Sequence, residues 1–122
     1  MSQDIVADAL NMIKNSRNEE IEINRISKLL IEILKIMKQK GAIKRYKIVK
    51  EKSVIVTKNN ITECKAIKPR FTVKKDQIEK YRRRYLPARN IGTMIISTNK
   101  GLLTHEEAEK EKIGGCLVAY FY

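Results

Sequence analysis

Hydrophobic residues in the first third of the chain follow the spacing of two amphipathic helices. Apolar side chains recur at four-residue steps between residues 3 and 15, which places them on one helical face. A second stripe of this kind begins after Ser27, a residue type that caps helix N-termini, and runs to about Gln39. Gly41 follows as a natural C-terminal stop. The sequence therefore predicts two N-terminal helices.

Alternating and β-branched runs predict strands in most of the remaining chain. The expected strands cover 19–23, a hairpin with a bulge over 42–58, 61–67, 93–97 and 116–122. Two shorter helices are expected, one from residue 75 to about 84 with an exposed basic face and one over 104–112. The second of these opens with Thr104 and Glu107, which form the Thr-x-x-Glu pattern of a capping box.

This order of elements predicts an α+β fold. We expect an N-terminal α/β lobe over 1–60, with two helices on a small sheet. A mostly β C-terminal lobe with short helices should follow over 61–122. With 122 residues, of which 43% are hydrophobic, the chain has enough apolar side chains for a real core.

The basic residues are concentrated in the middle of the chain. The net charge is +12, but residues 35–89 carry +15, whereas residues 1–34 and 90–122 carry −2 and −1. Such a field attracts polyanions, chiefly nucleic acid or an anionic membrane. The N-terminal helical segments lack the basic polar face that membrane binding needs, and no apolar run is long enough to span a bilayer. We therefore expect nucleic acid as the partner and no membrane association.

Little in the sequence favours catalysis or metal binding. Cys64 and Cys116 have no zinc-type spacing, and His105 is the only histidine. We expect two reduced, partly buried thiols, no metal and no cofactor. The glutamates between 106 and 111 do not converge on one point of a helix, and the sequence places no nucleophile near His105. A histidine–cysteine pair formed across the fold stays open at this stage.

The stretch "MIISTNKGLL" over 94–103 is the best candidate for specific recognition. Hydroxyl and amide side chains both donate and accept hydrogen bonds, so they can recognise base edges and ribose hydroxyls of RNA. Lys100 can neutralise a phosphate, and Gly101 permits positive φ and a close backbone approach. On composition alone, an ordinary polar turn between two regular elements accounts for the stretch equally well.

Residues 97–122 resemble the C-terminal signature of the ribosomal small-subunit protein eight family. That signature runs Ser-Thr-Ser-Lys-Gly, a short helix, Gly-Gly and a terminal strand, and here Asn99 replaces the second serine. Cys116 follows Gly-Gly, where bacterial members carry glutamate. The segment "IVADALNMIKN" is similar to the family's opening helix. The segments "ECKAIKPRF" and "RYLPAR" resemble its archaeal and eukaryotic cytosolic branch.

The resemblance implies a structural constituent of the small ribosomal subunit in the cytoplasm. It implies primary binding to the central domain of the rRNA, nucleation of assembly, neighbouring ribosomal proteins as partners, and neither catalysis nor a small-molecule substrate. Alternatives are a non-ribosomal RNA chaperone and, less favoured, a small hydrolase. The residues that the resemblance assigns to RNA are Ser97, Thr98, Asn99, Lys100, Gly101, Asn11, Lys14 and Asn15. The arginines expected to meet phosphate are Arg70, Arg82, Arg83, Arg84 and Arg89.

Overall fold

The computed structural model describes residues 5–50, 53–68 and 70–122, and the chain divides into two compact units, Met1–Cys64 and Lys65–Tyr122. The predicted division after residue 60 falls just before the boundary between these units. Helices and strands occur in the predicted order, which confirms the α+β class. The start of the first helix, predicted at residue 3, lies outside the described residues.

The first unit contains two helices and an antiparallel sheet with strand order β1-β3-β2. Its elements are α1 (Ile5–Asn15), β1 (Glu20–Ile23), α2 (Lys28–Gln39), β2 (Ile43–Lys50) and β3 (Ser53–Lys58). Ser27 caps α2 by accepting a hydrogen bond from the Leu30 backbone, and Gly41 follows the helix at φ +81°. Both predicted helix signals are therefore confirmed. The predicted bulge is present too, because the β2–β3 register shifts twice.

The second unit is built on a sheet in which β4, β8, β6 and β7 lie side by side and β5 also pairs with β8. Its elements are β4 (Cys64–Ala66), β5 (Thr72–Val73), a 3₁₀ helix (Lys75–Gln77), α3 (Ile78–Tyr85), β6 (Thr93–Thr98), β7 (Gly101–Thr104), α4 (His105–Glu111) and β8 (Gly115–Phe121). The strand predicted at 61–67 is shorter than expected. The predicted capping box is confirmed, with the Thr104 hydroxyl accepting from Glu107 N and the Glu107 carboxylate accepting from Thr104 N.

Apolar side chains from the helices and the sheet form a core within each unit. In the first unit, α1 and α2 contact each other and the sheet, and Leu10, Ile33 and Val56 are buried there. In the second unit, Ile78 of α3 and Ala108 of α4 join Met94, Ile96 and Leu117 of the sheet in one cluster. Ile96 of β6 and Leu117 of β8 face this cluster, so their neighbours in sequence, Ser97 and Cys116, lie on the other face of the sheet.

Candidate nucleic-acid interface

The stretch "MIISTNKGLL" forms a hairpin rather than an extended loop. In its register, Ser97 lies opposite Leu102 and Thr98 opposite Gly101, so Asn99 and Lys100 alone make the turn. The strand predicted over 93–97 extends to Thr98 and β7 begins at Gly101, so three of the five residues from 97 to 101 belong to strands. Gly101 has φ +99°, and a glycine in this conformation after a tight turn restores the strand twist.

The Thr98 hydroxyl is committed to closing this turn. It donates to the Gly101 carbonyl oxygen at 2.8 Å and accepts from the Lys100 backbone N–H at 3.1 Å. Its hydrogen is therefore used within the protein, although one lone pair is left. Asn99, by contrast, is exposed at the tip, where its amide can both donate and accept.

Lys100 points from the turn towards α4, where its ammonium lies 3.2 Å from a carboxylate oxygen of Glu111. Both side chains are substantially exposed, at 58% and 41%. An ion pair of this exposure contributes little to stability, because water and salt screen it. A phosphate that approaches the turn can therefore displace Glu111 at small cost.

The polar row, which we define as Thr72, Cys116 and Ser97, runs across three neighbouring strands. Cys116 of β8 lies opposite Thr72 of β5 on one side and opposite Ser97 of β6 on the other. Directly opposed residues on paired strands present their side chains on the same face. Thr72 and Ser97 are exposed, and Cys116 is half-buried. The two hydroxyls and the thiol therefore lie side by side on one face of the sheet, and the exposed Asn99 amide follows two residues after Ser97.

Two consecutive glycines hold the strands beneath this surface close together. A Cβ at Gly115 would collide with the Ser97 carbonyl oxygen, and one at Gly114 would collide with the Val73 carbonyl oxygen. The chain entering β8 therefore lies in direct backbone contact with β6 on one side and with the end of β5 on the other. Thr72 was not a predicted site residue, because only the pairing of distant strands brings it next to Cys116.

The three consecutive arginines of α3 do not share one face. Arg82 is only 7% exposed, because it follows Ile78 by one helical turn and so falls on the buried stripe. Arg83 and Arg84 are exposed, the latter with its guanidinium 5.9 Å from the centroid of the Tyr85 ring. The expectation that all three arginines lie on an exposed basic face is wrong for Arg82.

Arg82 is held by a two-point contact with Glu79. Its Nε donates to one carboxylate oxygen at 3.0 Å and its Nη2 to the other at 2.8 Å. These hydrogen bonds, together with the positive charge, hold the pKa of the Glu79 carboxyl below its ordinary value of 4.5. This contact occupies two of the five guanidinium donors, and burial shields the others from a phosphate, so Arg82 serves to stabilise α3.

The other predicted residues occupy exposed positions. Asn11 and Asn15 lie one turn apart on the solvent side of α1, and the Lys14 ammonium lies 2.7 Å from Glu63 within the same unit. Arg70 and Arg89 are exposed in the second unit. Three basic residues of β2 are exposed too, namely Lys44, Arg45 and Lys47, and they are followed by the exposed apolar side chains of Ile48 and Val49.

The geometry does not fit an active site. His105 is 2% exposed, and its Nδ1 accepts a hydrogen bond from the Met94 backbone, so it supports the fold. Burial raises the pKa of the Cys64 thiol to about 11, with a contribution from the nearby Glu63 carboxylate. Within the described ranges, no group of three or more metal-ligating side chains comes together, and no helix is long and apolar enough to span a membrane.

Comparisons with known proteins agree with this picture. The family model for ribosomal protein S8 matches residues 4–122. The protein named small ribosomal subunit protein uS8 from Nanoarchaeum equitans is 43% identical over the whole length of both chains. Those with the same name from Archaeoglobus fulgidus and Thermoplasma acidophilum are each 40% identical, again over the whole of both chains. With a family model that covers nearly every residue and such full-length relatives, the chain belongs to the ribosomal protein S8 family.

Proposed function

We propose that the chain recognises its site on small-subunit rRNA through the polar row and the Asn99 tip. As a member of a ribosomal protein family, it is a structural constituent of the small subunit and not an enzyme. It is associated with the ribosome, its rRNA and its other proteins. The proposal assigns that association to particular groups: the hydroxyls of Ser97 and Thr72, the Cys116 thiol and the Asn99 amide.

The observation that carries the proposal is the chemistry of this surface. Hydroxyl and amide groups have directional donors and acceptors, so they discriminate between arrangements of RNA atoms where lysine mainly senses charge. The segment 90–122 has a net charge of −1, so bulk attraction is not its contribution. Because strand pairing and the glycine contacts fix the backbone beneath the row, its groups are preorganised for one target shape.

The basic surfaces supply attraction and a fast encounter with the RNA. Arg83, Arg84, Arg70 and Arg89 of the second unit are exposed, and so are the cations of β2 in the first unit. Each phosphate contact releases counterions, so binding through these side chains weakens steeply as salt rises. Asn11 and Asn15 of α1 add exposed polar groups. We further propose that the site lies in the central domain and that binding occurs early in assembly, in the cytoplasm.

The test separates site recognition from attraction. The double variant Ser97→Ala with Asn99→Ala should lose about 1–3 kcal/mol of binding free energy to a small-subunit rRNA transcript, by analogy with the removal of hydrogen bonds at polar sites. The slope of affinity against salt concentration should not change, because no cation is removed. The control Ser53→Ala, on the other hairpin, should bind as wild type.

Two results would contradict the proposal. One is a double variant that keeps its preference for the rRNA site and loses only salt dependence. The other is a wild-type protein that releases all RNA at moderate salt and leaves no discrete footprint, which is the behaviour of a loose RNA chaperone. Retention on the small subunit through a high-salt wash is the expected result for the wild type.

A further inference from the structure

A polar cavity of about 220 Å³ opens on the first unit, and neither Asn11 nor Asn15 of α1 lines it. Its walls are the segment 16–19 after α1, the segment 58–60 after β3, and Lys44 of β2. This volume is below the roughly 300–1,000 Å³ of ordinary ligand pockets, so the cavity suits one nucleotide-sized group at most and is small for a whole cofactor.

The walls of the cavity are held by internal hydrogen bonds. The Lys58 ammonium donates to the Ser16 carbonyl oxygen at 3.0 Å, where it also satisfies the end of α1. The Ser16 hydroxyl accepts from the Asn18 backbone N–H at 3.1 Å, and the Asn59 amide donates to the Gly41 carbonyl oxygen at 2.9 Å. The cavity is therefore formed before any ligand arrives.

Several groups at the rim are not used by these bonds. The side chains of Arg17, Asn18 and Asn60 are exposed and make no hydrogen bond or ion pair with any residue that the structure describes. Three cations line the cavity against one acid, Glu19, which lies 3.9 Å from the Lys44 ammonium in an exposed pair. The cavity thus offers the Arg17 guanidinium, the Asn18 and Asn60 amides and an excess of positive charge to an anionic ligand.

We propose that this cavity binds a single unpaired nucleotide of RNA, which is a contact separate from the polar row. A guanidinium matches two phosphate oxygens, so Arg17 holds the backbone phosphate. The amides of Asn18 and Asn60 present both donors and acceptors, which fit the edge of an unstacked base. An acidic peptide would leave those donor-acceptor pairs half used, since a carboxylate only accepts. The inference rests on the proposed function, because it assumes that the RNA is rRNA.

Chemical probing of a small-subunit rRNA transcript with dimethyl sulfate tests this contact. The wild type should protect at least one unpaired base from modification. The double variant Ser97→Ala with Asn99→Ala should protect the same base when the protein is at saturating concentration. Asn60→Ala should expose that base again and weaken binding by about fivefold, with no change of salt slope. Arg17→Ala should expose it and reduce the slope as well.

The matched control is Arg45→Ala, which removes an exposed arginine of the same unit that does not line the cavity. It should reduce the salt slope and leave the base protected. If both cavity variants keep every protection, the inference is overturned while the polar-row proposal stands. If they keep the protections but fail to retain a neighbouring ribosomal protein during reconstitution, the cavity is a protein site and the inference is overturned. A wild type without any discrete footprint would overturn both.

Discussion

The two β-hairpins of the molecule share one topology and present opposite chemistry. The hairpin of β2 and β3 exposes Lys44, Arg45 and Lys47 along one strand, and its register shifts twice. The hairpin of β6 and β7 keeps a regular register up to a two-residue turn and carries hydroxyl and amide groups. On the proposed function, the first hairpin attracts RNA without fixing its orientation, whereas the second recognises orientation with little attraction. Specificity and affinity are then supplied by separate hairpins.

The largest expected effect comes from disturbing the support beneath the polar row. Gly115→Ala places a methyl group against the Ser97 carbonyl oxygen, so β8 and β6 must separate. We expect a loss of about 1–3 kcal/mol in the free energy of unfolding, as for other overpacked sites. Site-specific rRNA binding should fall at least tenfold. Denaturant titration and rRNA binding measure the two effects.

Gly101→Ala is the control for Gly115→Ala, because it adds the same methyl group without a collision. A Cβ at Gly101 meets nothing within 4 Å, so only the positive φ is strained. It should cost about 1–2 kcal/mol of stability. A Gly115→Ala protein as stable as wild type, with normal binding, would show that the close backbone contact has no part in the site.

The next effect in size concerns the turn of the second hairpin. Thr98→Ala removes a hydroxyl that makes two hydrogen bonds at 2.8 and 3.1 Å, so we expect about 1 kcal/mol less unfolding free energy. Thr98→Ser keeps the hydroxyl and should restore most of the loss. Thermal unfolding of the two variants provides the measurement. Equal losses in both would mean that the methyl group, not the hydroxyl, stabilises the turn.

A smaller change is expected when charge is removed from the first hairpin. Arg45→Ala with Lys47→Ala should reduce the salt slope of rRNA binding by about 1 for each phosphate that the protein no longer touches. Its preference for the rRNA site over unrelated RNA should stay constant, in contrast to the Ser97 and Asn99 variant. Filter binding at several salt concentrations measures both quantities. If this variant lost its preference for the rRNA site, the assignment of attraction to the first hairpin and site recognition to the second would be wrong.

The smallest effect is a pH dependence in α3. The pKa of Glu79 is lower in the folded protein than its ordinary value of 4.5, chiefly because Arg82 donates hydrogen bonds to it. The pair therefore stabilises the fold above about pH 4.5, and this contribution is lost as the pH falls through the folded-state pKa. Glu79→Gln should flatten the acid limb of the stability curve.

Arg82→Lys keeps the charge but lacks the planar fork of the guanidinium. Its loss of stability as the pH falls should therefore be intermediate between that of Glu79→Gln and that of the wild type. Unfolding midpoints between about pH 3 and 6, a range set by the ordinary carboxylate values, measure this. An unchanged acid limb in Glu79→Gln would contradict the assignment.

Local signals along the chain predicted the regular elements well. Ser27, Gly41 and the Thr104–Glu107 capping box all mark helix ends where the structure has them, because these interactions act within one turn. The site was predicted less completely. Thr72 joins Cys116 only through pairing of distant strands, and a two-residue turn at Asn99 depends on hydrogen bonds that composition does not reveal. Arg82 shows the same limit, since three adjacent arginines look alike until the helix face is known.

The glycine pair at 114 and 115 has a consequence for how this surface can change over time. The atom nearest to a Cβ at each glycine is a backbone oxygen, so the close approach of these strands does not depend on the side chains of the polar row. On the proposed function, we expect Thr72, Cys116 and Ser97 each to tolerate exchange for another small polar residue while the strands stay in place. The row could then follow gradual change in its RNA partner one contact at a time.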